Sequence, residues 1–328
     1  MTRFNNNERQ NYSHSWKFIP ERYYRSRSQS QHLALILTHT LSNHFFYDLR
    51  ISSFNQDYYS GVDKDTSEYM PWSNSEYVPN VGTGWEFYAN ADPPELVDSK
   101  TSTENIRLDF FWQLGTYNEL KFGGEYKKHH ITLWEVYDPQ RDNPYIDNYK
   151  TDPFEASAYF QDKIEFPFLV INLGLRFDNI DANAKFRENP LDSTSNKLVK
   201  SRYQISPRLG IAHPVSDRTK LHFAYGHFFQ NPDFQYFYEG ISYDIGVREP
   251  LFGQAKLDAE RTIAYEVGLA HQLTPTTAFH LTAYYKDIAG LIGTRYYSAY
   301  SDDAPDRYVG YTLYINEDYA NVKGFEMS

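Results

Sequence analysis

Apolar side chains in this chain fall at every second position through run after run, and few folds accept that spacing. In 106–114, Ile106, Leu108, Phe110, Trp112 and Leu114 share one face, while Arg107, Asp109 and Gln113 share the other. Phe111 breaks the rule. In 169–178, Leu169, Ile171, Leu173, Leu175 and Phe177 oppose Val170, Asn172, Gly174, Arg176 and Asp178. The runs 220–229, 263–270 and 279–286 repeat the pattern with Leu221, Phe223 and Tyr225, then Ile263, Tyr265 and Val267, then Phe279, Leu281 and Tyr285. A period of two is the signature of a β-strand with one apolar face. The chain therefore reads as all-β.

The connections between the runs alternate in length. Tight links fall near Leu41–Asn43, Gly115–Asn118, Pro167–Phe168, Pro214–Arg218 and Leu273–Thr276. Long polar links fall near 58–101, 137–153, 183–200, 231–257 and 294–311. Short turns at one end and long loops at the other are the layout of a membrane β-barrel. The pattern predicts an antiparallel meander of about eleven strands of roughly 10–15 residues, enough for tilted strands to span a bilayer. Placing the long loops outside sets direction. The runs near 28–42, 102–115, 153–166, 201–214, 258–273 and 312–328 go inward, and those near 43–57, 118–136, 168–182, 219–230 and 277–292 go outward. Residues 1–27 are then expected to be mostly an external loop, and 28–328 a partial barrel. In lipid the Leu/Ile/Phe face must point out, and the face with Arg, Asp, Lys, His and Gly must line the interior. His213 and His227 fall on the apolar face, near strand ends.

Composition agrees. Aromatic residues reach 18%, with 30 Tyr, which suits a boundary between apolar and wet surroundings. The mean hydropathy of −0.68 looks water-soluble, but a barrel strand needs only alternate residues to be apolar. With no cysteine there is no disulfide frame and no thiolate chemistry. A net charge of −11 without a basic stripe argues against a nucleic-acid partner.

No H-E-x-x-H, P-loop or G-x-S-x-G motif is present. The chain is read as non-enzymatic, with no catalytic residue, no metal ligand set and no cofactor. His129 and His130 are adjacent, so on a strand they point apart. His222 and His280 fall on the interior face. Acidic clusters at Asp63 and Asp65, at Asp302, Asp303 and Asp306, and at Glu317 and Asp318 read as solvated loop acids. Aromatic clusters beside strand ends are better binding candidates, because flat rings hold sugars, planar ligands and cations. These are Phe234, Tyr236, Phe237 and Tyr238, then Tyr296, Tyr297 and Tyr300, with Tyr58, Tyr59, Tyr69 and Trp72 in a similar position. The alternative for all of them is an upper aromatic girdle with loop packing. Gly123, Gly124, Gly174, Gly210, Gly226 and Gly268 read as sites of strand bending and close packing.

Several segments together resemble the barrel of TonB-dependent receptors. They are ASAYFQDKIEF at 156–166, INLGLRFD at 171–178, ISPRLGIAHPVSDRTKLHFAYGHFFQNP at 205–232, LDAERTIAYEVGLAHQL at 257–273, AYYKDIAGLI at 283–292 and ANVKGFEMS at 320–328. The resemblance implies an outer-membrane barrel of about 22 strands filled by a plug domain. It implies uptake of siderophore-iron, haem, cobalamin, glycan or peptide, energised by TonB with ExbB–ExbD. Membrane lipid and lipopolysaccharide would surround it. Plug, TonB box and signal peptide are not visible, so the chain is expected to be a fragment. The competing readings are a soluble β-rich carbohydrate-binding or glycan-processing protein and a non-transporting surface adhesin.

Overall fold

The computed structural model describes residues 1–10, 12–62, 69, 76–79, 86–90, 92–93, 95–139, 144–192, 194–241, 250–301 and 304–328. Its strands are β1 (Thr2–Arg9), β2 (Arg25–Ser42), β3 (Phe45–Gly61), β4 (Glu76–Pro79), β5 (Glu86–Asn90), β6 (Glu95–Leu114), β7 (Asn118–Tyr137), β8 (Tyr145–Thr151) and β9 (Phe154–Phe166). They continue as β10 (Leu169–Asp181), β11 (Lys185–Arg187), β12 (Asn196–Leu198), β13 (Arg202–Ser216) and β14 (Thr219–Gln230). One helical turn, α1 (Phe234–Tyr238), precedes β15 (Leu251–Phe252), β16 (Glu260–Thr274), β17 (Thr277–Ser301) and β18 (Ala304–Met327). Among the described residues no helix is long and apolar enough to cross a membrane.

A single sheet of 14 strands runs in the order β1-β2-β3-β6-β7-β9-β10-β13-β14-β16-β17-β18-β15, with β8 against β7. The long strands pair antiparallel with their sequence neighbours, as expected of a meander. Among the described residues the sheet does not close. β1 pairs only Ser26–Leu33 of β2, and β15 pairs only Thr312 and Leu313 of β18. Two expectations are corrected. Residues 2–9 form a strand where a loop was expected. The link 294–311 is no loop, because β17 and β18 stay paired from Leu281↔Met327 to Ser301↔Ala304. Tyr297↔Tyr311 and Arg295↔Leu313 are cross-strand pairs of the kind that extend a hairpin past a membrane boundary. The other long links hold the hairpins β4–β5 and β11–β12, β8, and α1 with β15.

The registers show which side chains share a face. Leu37, Leu49, Leu108, Gly124, Ala158, Phe177 and Ile205 stand in one row across seven strands. Phe122, Phe160, Leu175 and Pro207 stand in the next. Leu175 is 53% exposed and Leu173 46%, and a soluble protein would bury such a face. The apolar belt is slanted relative to the rows. Its upper edge is Leu35, Ile51, Ile106 and Tyr126 on one side, but the same row continues through Ala156 into Asn179 and Tyr203. On the far side the belt begins lower, at Tyr265 and Tyr285. Tilted strands require this descent, because a flat membrane cuts successive strands at successive residues. Asp162 is an exception within the belt, and Asn118 Nδ2 donates to its Oδ2 at 2.8 Å. His213 sits beside the tight turn, 2.7 Å from the Phe168 carbonyl oxygen.

A membrane wall has lipid on one face and its lumen on the other, so its buried core lies elsewhere. Ile131, Ile180, Ala182, Ala184, Val199, Phe237, Tyr238, Ala255 and Leu257 form it. It gathers the outer ends of the strands and the links beyond them. Phe252, Tyr311 and Leu313 form a second cluster.

Candidate functional site

The inward face carries polar ladders. Arg50, Arg107, Glu125, Ser157, Asp178 and Gln204 form one row. Asp48, Asp109, Gly123, Tyr159, Arg176 and Ser206 form the next. Two residues apart on a strand means the same face, so R-x-D places an ion pair along one strand. Arg107 Nε donates to Asp109 Oδ2 at 2.6 Å, and Tyr159 Oη donates to Asp109 Oδ1 at 2.7 Å. Arg176 Nη2 lies 2.7 Å from Asp178 Oδ1. Gly123 makes room for Asp109, since a Cβ there would sit 2.4 Å from the Leu108 carbonyl oxygen. His222 lies as closely over Gly268, so close packing holds at Gly123, Gly226 and Gly268, while a Cβ at Gly174 or Gly210 would make only ordinary contacts.

Above this wall the mouth is crossed by α1. Pro232 follows β14 and ends its ladder, since proline has no N–H to give. Phe234 then packs on His129 of β7, with ring centroids 4.8 Å apart. Tyr238 packs on Tyr149 of β8 at 5.3 Å and donates its hydroxyl to the Ala182 carbonyl. On the other side Tyr236 packs on Tyr314 of β18 at 4.8 Å, and Tyr314 Oη donates to Glu239 Oε2 at 2.9 Å. β7 and β18 are far apart in the sheet order, so the helical turn joins distant parts of the wall. Gly240, at φ +58°, directs its N–H to Asp147 Oδ2 at 3.0 Å. Only glycine takes that backbone readily, and a Cβ would lie 2.5 Å from the Leu251 carbonyl oxygen.

The proposed aromatic residues separate into two kinds. Phe237 and Tyr238 are 1% exposed and hold the cap together. Burial pushes the Tyr238 hydroxyl up to about 12, and it raises the Asp147 carboxyl as well. Phe234 and Tyr236 are half-buried at the mouth. Tyr296 is 60% exposed and lies over Gly310, and Tyr297 stacks on Tyr311 at 5.5 Å. Both stand on β17 rather than on a loop. The side chain of Tyr300 lies outside the described residues, as do Asp63, Asp65, Trp72, Asp302 and Asp303. Tyr69 is buried with Leu96 and Val136.

His129 and His130 do point apart. His129 faces in, with Nδ1 2.9 Å from Thr103 Oγ1 and Nε2 3.7 Å from Glu155 Oε2. His130 faces out, with Nδ1 2.5 Å from Asp152 Oδ1. Asn231 Nδ2 donates to Glu155 Oε1 at 2.9 Å. This inward polar patch under Phe234 was not singled out in the sequence. Its signal is the inward register of Lys127, His129 and Glu155. Among the described residues no group of three or more His, Asp or Glu side chains is arranged to hold a metal ion.

The family model for the TonB-dependent receptor-like β-barrel matches residues 2–328. The chain belongs to the TonB-dependent receptor family. Solved TonB-dependent receptor barrels share its fold. The outer membrane transporter YddB from Escherichia coli superposes with a TM-score of 0.70 at 11% identity, covering 99% of this chain and 42% of that one. The copper transporter OprC gives 0.60 at 15% identity, covering 92% and 44%. The siderophore receptor PirA from Acinetobacter baumannii gives 0.58 at 16% identity, covering 93% and 42%. This chain therefore spans less than half the length of these structures. No curated protein matches it in sequence.

Proposed function

We propose that the chain forms part of the wall and mouth of an outer-membrane receptor that takes up a scarce nutrient. TonB, driven by ExbB–ExbD, would supply the energy through a plug region, and lipid and lipopolysaccharide would surround the belt. The observation that carries this reading is α1 bridging from β7 to β18 above an inward polar wall. A structural barrel gains nothing from a built, aromatic mouth over a polar lumen. No catalytic role is assigned. Siderophore-bound iron, haem, copper, cobalamin, glycans and peptides are the cargo classes to test. The relatives' names, a copper transporter and a siderophore receptor, put metals and their chelates first.

Within the mouth, Phe234, Tyr236 and Tyr296 would offer ring surface to the ligand, Tyr296 sharing the face of Tyr314 on which Tyr236 packs, while Tyr297 points to the opposite face. Phe237 and Tyr238 would act by holding α1 in place. The test is uptake of labelled cargo by cells carrying the complete receptor, with and without TonB. Uptake should require TonB, and Tyr296→Ala should raise the half-saturating concentration about thirtyfold, the size of one aromatic hot spot. TonB-independent uptake, or a receptor that leaves the membrane fraction without detergent, would overturn the proposal.

A further inference from the structure

Three inward arginines share one sequence frame but not one environment. Two positions after Arg107 stands Asp109, and two after Arg176 stands Asp178. Each pair forms a hydrogen-bonded ion pair on its own strand. Two positions after Arg208 stands Gly210, and two before it stands Ser206. Among the described residues, the contact that holds the Arg208 guanidinium is the face of Phe228, 4.7 Å from the ring centroid. The floor around it is kept low. A Cβ on Gly226 would lie 2.9 Å from Phe228 and 3.5 Å from Arg208 Cγ, and one on Gly174 would lie 3.6 Å from Arg208 Cβ.

Arg208 lines two adjoining hollows of about 220 and 290 Å³. Ser206 and Asn231 face the first, and Gln161 and Asn172 face the second. Contact with a ring face uses no hydrogen-bond acceptor, so it leaves the N–H fork of the guanidinium to be filled. That fork fits a carboxylate through two parallel hydrogen bonds. Glu125, Glu155 and Asp178 line the first hollow together with Lys127 and Arg176, and Glu266 lines the second. With Arg208 counted, the charges of each hollow balance, which favours a singly charged carboxylate over a multiply charged anion. We propose that Arg208 is a carboxylate-binding site on the lumen wall, built where Gly210 replaces the acid found beside Arg107 and Arg176. This rests on reading the inward face as a lumen. The carboxylate comes from inside the barrel, either from a small solute or from a protein segment lodged there.

The test is arginine modification by phenylglyoxal in the complete receptor, followed by peptide mapping, with acetate as the probe. If solute is the source, Arg208 reacts about tenfold faster than Arg107 and Arg176, the ratio set by one charge-assisted hydrogen bond, and acetate slows it. If a lodged segment is the source, Arg208 is slow until mild urea frees the lumen, and then becomes fast and acetate-sensitive. Gly210→Asp supplies the missing acid and should remove the acetate effect. A Cβ at Gly210 meets Asn172 at an ordinary 3.5 Å, so the position has room for a side chain, and heat-modifiable migration of the variant checks that it folds. Arg208 reacting fast but indifferent to acetate, or slow with and without urea, overturns the proposal. Heat-modifiable migration of the unmodified receptor is read in parallel. Its loss would indict the barrel reading and leave the arginine question to the mapping.

Discussion

Leu175 offers the sharpest test of which face meets lipid. It lies six residues along β10 from Leu169, the lowest apolar residue of that strand. At about 3.3 Å per residue and a tilt near 45°, that is about 14 Å of height, close to the middle of a ~25 Å apolar band. Its row neighbours are Phe160 and Pro207, so an introduced charge has no partner directly opposite, and the nearest acid, Asp162 one diagonal step away, is engaged by Asn118. Leu175→Arg should therefore cost about 2–4 kcal/mol, the penalty for a cation at the bilayer midplane. That is roughly thirtyfold to several-hundredfold in the folding equilibrium. The matched inward change is Ser157→Arg. Ser157 stands between Glu125 and Asp178 in its row, so the new cation meets acids on both sides. Its effect should stay within about 0.5 kcal/mol. The assay is urea titration of the complete receptor in phospholipid vesicles, read by the heat-modifiable gel band. Equal costs, or a silent Leu175→Arg beside a damaging Ser157→Arg, would refute the assignment of faces.

Phe237→Ala should loosen the cap by about 3–5 kcal/mol, the usual cost of emptying a fully buried ring site, and proteolysis near α1 should report it. Gly123→Ala drives a Cβ into the Leu108 carbonyl. It should cost about 1–3 kcal/mol by overpacking, visible as a lower urea midpoint. Burial raises the Asp147 carboxyl above its unfolded value. The unfolded chain then loses its proton first, so the stability of the folded cap should fall as pH rises through that window, even though the ionised carboxylate is the better acceptor for the Gly240 N–H. Hydrogen exchange at Gly240, corrected for intrinsic rate, reads this, and Asp147→Asn should flatten the dependence while keeping an acceptor for the Gly240 N–H.

The strand runs were legible because their faces meet two opposite solvents, and a period of two records that contrast directly. Leu173 and Arg176 could be assigned to faces before any coordinates. The extension of β17 and β18 was not legible. Beyond the membrane one face of the hairpin packs on Phe252 and the other meets water, and tyrosine serves at both, so Tyr296 and Tyr297 carry no alternation to read. The fate of Phe234–Tyr238 was hidden for a similar reason. Four aromatics on one helical turn look alike in sequence, but Phe237 and Tyr238 turn into the cap while Phe234 and Tyr236 reach toward the two sides of the mouth. The Arg107–Asp109 and Arg176–Asp178 pairs were written in plain spacing, and only the structure showed their lumenal setting.

The slant of the apolar belt reaches further than its role in marking lipid. From the Leu35 edge to the Tyr285 edge, the belt slips against the ladder of paired residues, as a screw thread slips against a ruler laid across it. The slip measures pitch, and pitch in a closed cylinder is quantised by whole pairs of residues. The two borders of the wall, β2 with the short β1 on part of it and β18 with the short β15 on part of it, are thus out of step along their length by an amount this wall alone has accumulated. In a barrel closed by further strands, those strands would make up the remainder of the turn with the same hand and in whole steps. The outward-facing letters of eleven strands therefore constrain the register of strands they never touch.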